Sequence, residues 1–400
     1  MDRAIHLLYV PTLCCNLSCS YCYLGKQTTE AALKKDAQRA VQTLRHTLDA
    51  LKTAGVLAFN VSLHGGEVTT LPAPVLNELF GMIRAHYLEH FDALNALGHK
   101  KSAPHIKTNL FKFAPFYDLF DRHKVSISAS IDLPLALHAR YRTTRGGHQW
   151  LARTHDNIRL LAGYPHARKI SATLCGEHVD DIQAIIDDIW FIHRELGFDM
   201  NQFNLMFAFG SELNRAAKGE AVLTPATPEQ QQRLYDTLHA AFMGTELEEG
   251  LRRHWFDEFT PGYCTNAANC GERFYLLQSD GSVYSCVRGQ GIPEFRYGNV
   301  FEQPILDILD NGARQIRQRL GGERRVERPR RGIGVDHPAR AAAAAYGASG
   351  HPVVLVECGW PFGDVDVDVD VATYSGSLSV AAALVELLTT SPREALVQPC

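Results

Sequence analysis

The chain predicts an α/β fold: an open, partial barrel of six β-then-α units, followed by a small β-hairpin/α extension. Three observations carry this expectation. Between residues 4 and 210, short runs of β-type residues alternate with longer stretches of helical period. The alternation implies parallel strands joined by right-handed crossovers, and six units fit an open barrel better than a closed eight-fold one. After residue 263 the pattern changes to short β runs joined through Asp280-Gly281, a hairpin signal.

The expected strands are His6–Val10, Leu57–Leu63, His105–Thr108, Val125–Ile131, Lys169–Leu174 and Phe203–Ala208. Helical stretches lie between them at Thr29–Thr53, Ala73–His90, Gln149–Ala162 and Asp180–Leu196. Residues 211–262 read as a polar helical bridge, with Thr224, Pro225, Thr227 and Pro228 as start signals. The hairpin runs are Phe274–Gln278 and Val283–Cys286, within a unit spanning residues 263–320. From residue 321 the composition shifts to an arginine-rich stretch, an alanine run and a strict Asp/Val alternation. The barrel proper is assigned to residues 1–210.

Composition narrows the function classes. The 400 residues are 46% hydrophobic and 21% charged, which fits a globular chain. Forty basic residues against forty-four acidic ones give a net charge of −4. That balance offers no broad electrostatic footprint for nucleic acid or an anionic membrane. No apolar run reaches the roughly 18 residues of a membrane span, and the amino terminus reads as a first strand, so a cytoplasmic location is expected.

Ten cysteines are too few for a disulfide scaffold and are unevenly placed. Cys14, Cys15, Cys19 and Cys22 crowd the loop after the first expected strand; Cys264, Cys270 and Cys286 flank the hairpin. Clustered cysteines in a reducing compartment point to metal ligands or redox groups rather than disulfides. The spacing Cys15-x3-Cys19-x2-Cys22 suits three thiolates bound to three irons of a 4Fe-4S cube, with the fourth iron left without a protein ligand. The competing reading is a zinc knuckle with Cys14 in fourth place.

Cys15-Asn16-Leu17-Ser18-Cys19-Ser20-Tyr21-Cys22-Tyr23 resembles the C-x3-C-x-Φ-C signature of the radical S-adenosylmethionine (SAM) superfamily, with Tyr21 as the aromatic. The resemblance implies a radical SAM barrel in which the methionyl amine and carboxylate chelate the unique iron. One electron then cleaves the sulfonium, and a 5′-deoxyadenosyl radical abstracts substrate hydrogen. Further motifs follow in order at successive strand ends. His64-Gly65-Gly66-Glu67 is similar to the family's GGE motif, with Val68 where proline is usual. Thr108-Asn109 is similar to Thr-Asn-Gly, and Ser130-Ile131-Asp132 to Ser-Leu-Asp-Gly, with Leu133 for the glycine. By resemblance, Cys15, Cys19 and Cys22 hold the cluster, and Gly65, Gly66 and Glu67 orient the methionyl group. Ser130 with Arg140 or Arg142 holds ribose or carboxylate, and Tyr21 and Tyr23 border adenine.

Cys264, Cys270 and Cys286 are similar to the start of a SPASM domain, the extension that holds auxiliary 4Fe-4S clusters in peptide- and protein-modifying members, including anaerobic sulfatase-maturating enzymes. The later C-x2-C-x5-C-x3-C block is missing, so the SPASM-like region is incomplete. Val287 stands where sulfatase-maturating members carry an aspartate base. Three readings of residues 321–400 stay open: a divergent domain with one late cysteine ligand, a disordered extension, or a reading-frame shift near residue 320.

The expected function is therefore radical SAM modification of a peptide or protein, with a flavodoxin- or ferredoxin-type electron donor. The alternatives are a radical SAM enzyme acting on a small molecule or cofactor precursor, and an inactive iron–sulfur or zinc protein.

Overall fold

The computed structural model describes residues 3–29, 37–99, 101–148, 150–209, 213, 224–257, 271–322, 355–356 and 369–370. Six parallel strands form the barrel sheet: β1 (Arg3–Val10), β2 (Val56–Leu63), β3 (His105–Thr108), β4 (Ser126–Ser130), β5 (Arg168–Leu174) and β6 (Phe203–Phe207). They lie side by side in chain order, each paired in parallel with the next.

Strand alternation separates two faces. In β1, Ile5, Leu7 and Tyr9 enter the main hydrophobic core, whereas His6 falls on the opposite face. The same split recurs in β2, where Leu57, Phe59, Val61 and Leu63 enter the core and Ser62 faces away. Helices cover the apolar face. They are α1 (Ala37–Thr53), α2 (Ala73–Glu89), α3 (Phe91–Ala96), α4 (Phe113–His123), α5 (Leu135–Tyr141), α6 (Leu151–Ala162) and α7 (Ile182–Arg194). In α7, Ile182, Ile185, Ile186, Ile189 and Ile192 form the buried stripe, and the Asp181 carboxylate caps the start by accepting from Ala184 N.

The polar face is concave. Lys107 Nζ on β3 lies 3.6 Å from Met206 Sδ on β6, although β4 and β5 stand between them in the sheet. A flat sheet would hold those strands far apart, since neighbours are spaced about 4.8 Å.

The bridge forms helices α8 (Pro228–Phe242) and α9 (Glu248–Arg253). Thr227 opens α8 with a reciprocal capping box to Gln230, and Pro228 occupies its first turn, as the start signals imply. Then come β7 (Phe274–Gln278), β8 (Ser282–Tyr284), β9 (Arg296–Asn299) and α10 (Ile305–Gly322).

The hairpin does not stand apart from the barrel. β7 pairs in parallel with β1, and β8 and β9 add antiparallel, giving the order β6-β5-β4-β3-β2-β1-β7-β8-β9. The otherwise bare edge of β1 is thereby covered. Local sequence pattern does not reveal such a long-range pairing, and β9 is too short and glycine-containing to read as a strand. Asp280 keeps its expected turn role: its carboxylate accepts from Ser282 N at 2.9 Å, and Gly281 takes φ +86°.

Some expected boundaries shift. Of the helix expected over Thr29–Thr53, Ala37–Thr53 is helical, Gly25–Thr29 forms a 3-10 turn, and residues 30–36 lie outside the described residues. Of the Asp/Val alternation, Val369–Asp370 (β11) pairs antiparallel with Leu355–Val356 (β10). The rest of the expected tail, with Cys358 and Cys400, lies outside the described residues. Among the described residues, no helix is long and apolar enough to cross a membrane.

Candidate functional site

The cysteine loop leaves the carboxyl end of β1 and is tied down on several sides. Ser18 N donates to Thr143 O (2.8 Å) and Ser20 N to Tyr141 O (2.9 Å), so the loop pairs with the segment after α5. Cys22 N donates to Cys19 O (3.2 Å) and Gly25 N to Cys22 O (3.0 Å), which folds the second half into tight turns. Arg145 donates from Nε to Cys15 O at 2.7 Å and also to Thr28 O, joining the two ends of the loop.

Gly65 and Gly66 are required by the loop itself. A Cβ on Gly65 would lie 2.3 Å from Thr12 O. One on Gly66 would lie 2.3 Å from Leu13 O and 2.4 Å from Cys14 O. Gly65 also takes φ +132°, a conformation that favours glycine. The sequence reading gave these glycines to a methionyl ligand; the close approach here is to the chain's own backbone. Gly66 N donates to Thr12 O (3.1 Å) and Glu67 N to Cys14 O (2.8 Å).

Glu67 is buried, and its carboxylate is engaged by the protein. Oε1 accepts from Thr69 N (3.1 Å), Thr69 Oγ1 (2.7 Å) and Thr108 Oγ1 (2.8 Å), and Oε2 accepts from Asn109 N (2.7 Å). A carboxylate offers about four acceptor sites, so this set leaves little for the ammonium contact expected from sequence. As placed, Glu67 braces the end of β2 against the end of β3. Burial pushes its carboxyl pKa up, against the pull of these donors.

The three thiols fit a multinuclear iron–sulfur group. Cys15, Cys19 and Cys22 are half-buried. Cys15 Sγ receives Leu17 N at 3.4 Å and Asn109 Nδ2 at 3.8 Å, donors suited to a ligating thiolate. Burial, and then the neighbouring Cys19 and Glu67, push the Cys15 thiol up, with Cys22 adding to the effect; bound metal would reverse that preference. Among the described residues, no three His, Cys, Asp or Glu side chains converge on one metal ion. Thiolates that each bind a different iron of a cube need no such common point.

A second network anchors the loop's aromatic. Tyr21 OH donates to Asp132 Oδ2, and Arg142 grips the same carboxylate from Nε (2.7 Å) and one terminal nitrogen (3.0 Å). The Arg142 guanidinium also lies 5.4 Å from the Tyr21 ring centre. Burial pushes the Asp132 carboxyl up, but Arg142 more than reverses this and holds it at about 2. The two candidate arginines are thereby separated: Arg142 is buried against Asp132, whereas Arg140 is exposed and paired with Glu177. Ser130, at the end of β4, is half-buried.

Tyr23 turns toward the hairpin. Its ring lies 5.7 Å from that of Phe209, and its OH is 3.5 Å from Gln290 Oε1. Cys22, Tyr23 and Val287 pack on one small apolar cluster with Leu276 and Tyr284. Cys286 is half-buried beside Ser285, with Cys22 and Cys286 both close enough to raise the Tyr23 pKa. Cys264 and Cys270 lie outside the described residues. Arg145 carries no motif signal in the sequence, and Asp132, though part of the Ser130-Ile131-Asp132 motif, shows no bracing role there, because each role depends on contacts between distant segments.

Comparison with solved structures settles the fold. The structure of native anSMEcpe with bound AdoMet covers 78% of this chain and 82% of its own, at TM-score 0.57 and 16% identity. Streptococcus suis SuiB bound to precursor peptide SuiA covers 79% of this chain and 67% of its own, at TM-score 0.52 and 17% identity. Both are radical SAM enzymes.

The chain has the radical SAM fold. Within that radical SAM fold, the cysteine loop occupies the carboxyl-end face of the sheet, where ligands gather in open α/β folds. No family model matches the chain. Among curated proteins, an uncharacterized protein of Synechocystis sp. is 26% identical over 203 residues, 49% of this chain and 48% of that protein. The antilisterial bacteriocin subtilosin biosynthesis protein AlbA of Bacillus subtilis is 23% identical over 317 residues, 77% of this chain and 60% of AlbA. The chain thus spans about half to three-fifths of these relatives' lengths.

Proposed function

We propose that this chain is a radical SAM enzyme that modifies a peptide. The carrying observation is the loop bearing Cys15, Cys19 and Cys22, clamped by Arg145 and by Gly65-Gly66 at the carboxyl end of a radical SAM sheet. In this reading the three thiols hold a 4Fe-4S cluster. When bound, that cluster supplies the electron that splits the sulfonium of SAM, so that an adenosyl radical takes hydrogen from the substrate.

The chain's own residues have assigned tasks. Gly65 and Gly66 let the loop settle onto the end of β2. Glu67 fixes β2 to β3 and thereby orients the backbone beside the methionyl group. Ser130 and the Arg140–Arg142 segment border the same face, with Arg142 acting through Asp132 and Tyr21. Tyr21 borders the cofactor on the loop side, and Tyr23 lies between the loop and the hairpin. Cys286, with Cys264 and Cys270, is assigned to an auxiliary cluster, and a flavodoxin- or ferredoxin-type protein to electron delivery.

A peptide substrate is supported by two relatives: SuiB binds a precursor peptide, and AlbA serves bacteriocin biosynthesis. The test is anaerobic reconstitution with iron and sulfide, followed by SAM and dithionite. The expected product is 5′-deoxyadenosine, absent from a Cys19→Ala control; equal yields from the two proteins would refute the assignment.

A further inference from the structure

The residue after the first thiol of the loop is an asparagine whose amide is oriented from outside the loop. Glu67 Oε2 accepts from Asn109 N at 2.7 Å, which seats Asn109 at the end of β3. Phe111 N donates to the Asn109 side chain at 3.0 Å. A backbone N–H only donates, so the atom it meets is Oδ1, and the other end of the Asn109 amide is the donor Nδ2. Asn109 Nδ2 lies 2.8 Å from the Asn16 amide, and only an oxygen can receive it there, so that atom is Asn16 Oδ1. The remaining end of the Asn16 amide is Nδ2, a donor. This sequence of assignments starts from a backbone N–H, so it does not hang on a choice of amide flip.

Asn16 Nδ2 is buried and has no hydrogen-bond partner among the described residues. A donor shut away from water without an acceptor is costly, so its place in the loop calls for an acceptor that arrives with a bound group. The position identifies that group. Asn16 follows Cys15 directly, and its Oδ1 is 3.9 Å from Cys15 Sγ. Leu17 N at 3.4 Å and Asn109 Nδ2 at 3.8 Å face the same sulfur. The Asn16 amide thus stands beside a thiol assigned to the cluster. Sulfurs of an iron–sulfur group carry negative charge and accept N–H donors, and such bonds set the group's potential.

We propose that Asn16 Nδ2 donates to a sulfur of the bound 4Fe-4S cluster, and that Glu67 and Asn109 hold the amide in that direction. The proposal rests on the cluster reading above and adds a residue that tunes the cluster. The reduced cluster carries one more negative charge than the oxidised one, so a hydrogen bond to its sulfur favours reduction and raises the midpoint potential. Glu67, Asn109 and Asn16 then serve one purpose: residues at the ends of β2 and β3 orient an amide on the thiol loop.

The test uses the full chain, anaerobically reconstituted with iron and sulfide, beside Asn16→Ala and Asn16→Asp. An EPR-monitored redox titration without SAM reads the potential. Asn16→Ala is neutral and removes the donor. It is expected to disfavour one-electron reduction about tenfold, a potential about 59 mV more negative, the scale of one hydrogen bond to a charged group. Asn16→Asp keeps the acceptor for Asn109 and adds charge, so its shift is expected to be at least as large. An unchanged potential in Asn16→Ala overturns the proposal, because a shift confined to Asn16→Asp is an effect of charge alone. Weaker SAM binding in equilibrium dialysis at that unchanged potential would give the donor to SAM instead. Should a variant fail to fold or to retain iron, the natural chain decides. With asparagine labelled by nitrogen-15 in the side chain, pulsed EPR of the reduced cluster is expected to show two distinct nitrogen couplings, from Asn16 and Asn109; one or none overturns the proposal. The two readings fail distinguishably: no cluster signal in the natural chain removes the cluster and this inference with it, whereas an intact signal at an unmoved potential removes only the role of Asn16.

Discussion

Arg142 holds Asp132 with two hydrogen bonds, of 2.7 and 3.0 Å, and Asp132 in turn accepts the hydroxyl of Tyr21 in the cysteine loop. This buried pair connects the segment after β4 to the loop that carries the thiols. Removing one partner of such a pair strands the other's charge, at a cost of about 3–5 kcal/mol. Asp132→Asn is therefore expected to lower stability by roughly that amount in urea unfolding at neutral pH. An unchanged midpoint would show that the pair does not brace the fold.

The same pair sets a pH signature. The Asp132 carboxyl is held at about 2 in the folded chain, below the ordinary value of about 3.9 in an unfolded one. A depressed folded pKa contributes stability that is whole above the unfolded value and is lost as pH falls through the folded one. The stability difference between the natural chain and Asp132→Asn should thus be constant near neutrality and shrink between roughly pH 4 and pH 2. A difference that stays flat through that window would contradict the assignment.

Gly66→Ala places a methyl group 2.3 Å from Leu13 O, a backbone atom that cannot swing aside. The loop must shift, at a cost of about 1–3 kcal/mol. The expected result is a lower melting temperature together with reduced iron retention after anaerobic reconstitution. Full iron content at unchanged stability would mean that the loop tolerates displacement.

Glu67→Gln separates two roles. A carboxylate receiving four protein donors is a brace, and an amide turned toward those donors loses at least one bond, costing about 1–3 kcal/mol. Denaturant unfolding without SAM should register that loss. If stability is untouched and SAM binding alone weakens, as equilibrium dialysis would show, Glu67 contacts the ligand directly, as its sequence motif implies.

Asn109→Ala removes the amide that lies 3.8 Å from Cys15 Sγ. Hydrogen bonds to ligating sulfurs favour the reduced, more negative cluster. The reconstituted variant is expected to show a more negative midpoint potential in an EPR-monitored titration, with an unaltered circular dichroism spectrum. A potential equal to that of the natural chain would leave the Asn109 side chain a structural role, donating to Asn16 Oδ1 (2.8 Å) and accepting from Phe111 N (3.0 Å).

The sequence made the barrel legible because alternation and helical period are local properties. His105–Thr108 and Phe274–Gln278 coincide with their expected strands. The spacing of Cys15, Cys19 and Cys22 likewise marked the loop proposed to hold the cluster, because ligand spacing survives in a linear string. What escaped depends on long-range contact. The pairing of β7 with β1 joins residues more than two hundred positions apart, and no local pattern encodes it. Arg140 and Arg142 are indistinguishable by motif, yet one faces solvent and the other is buried, because only Arg142 meets a carboxylate inside the fold.

In the proposed enzyme, Cys15, Cys19 and Cys22 hold an iron–sulfur cube with one corner open to SAM. EPR spectroscopy of the anaerobically reconstituted, dithionite-reduced chain, recorded with and without SAM, tests it most directly. A 4Fe-4S signal that changes when SAM is added, and is missing from Cys19→Ala, is expected. A zinc-loaded protein without that signal, or a cluster signal indifferent to SAM, would contradict it.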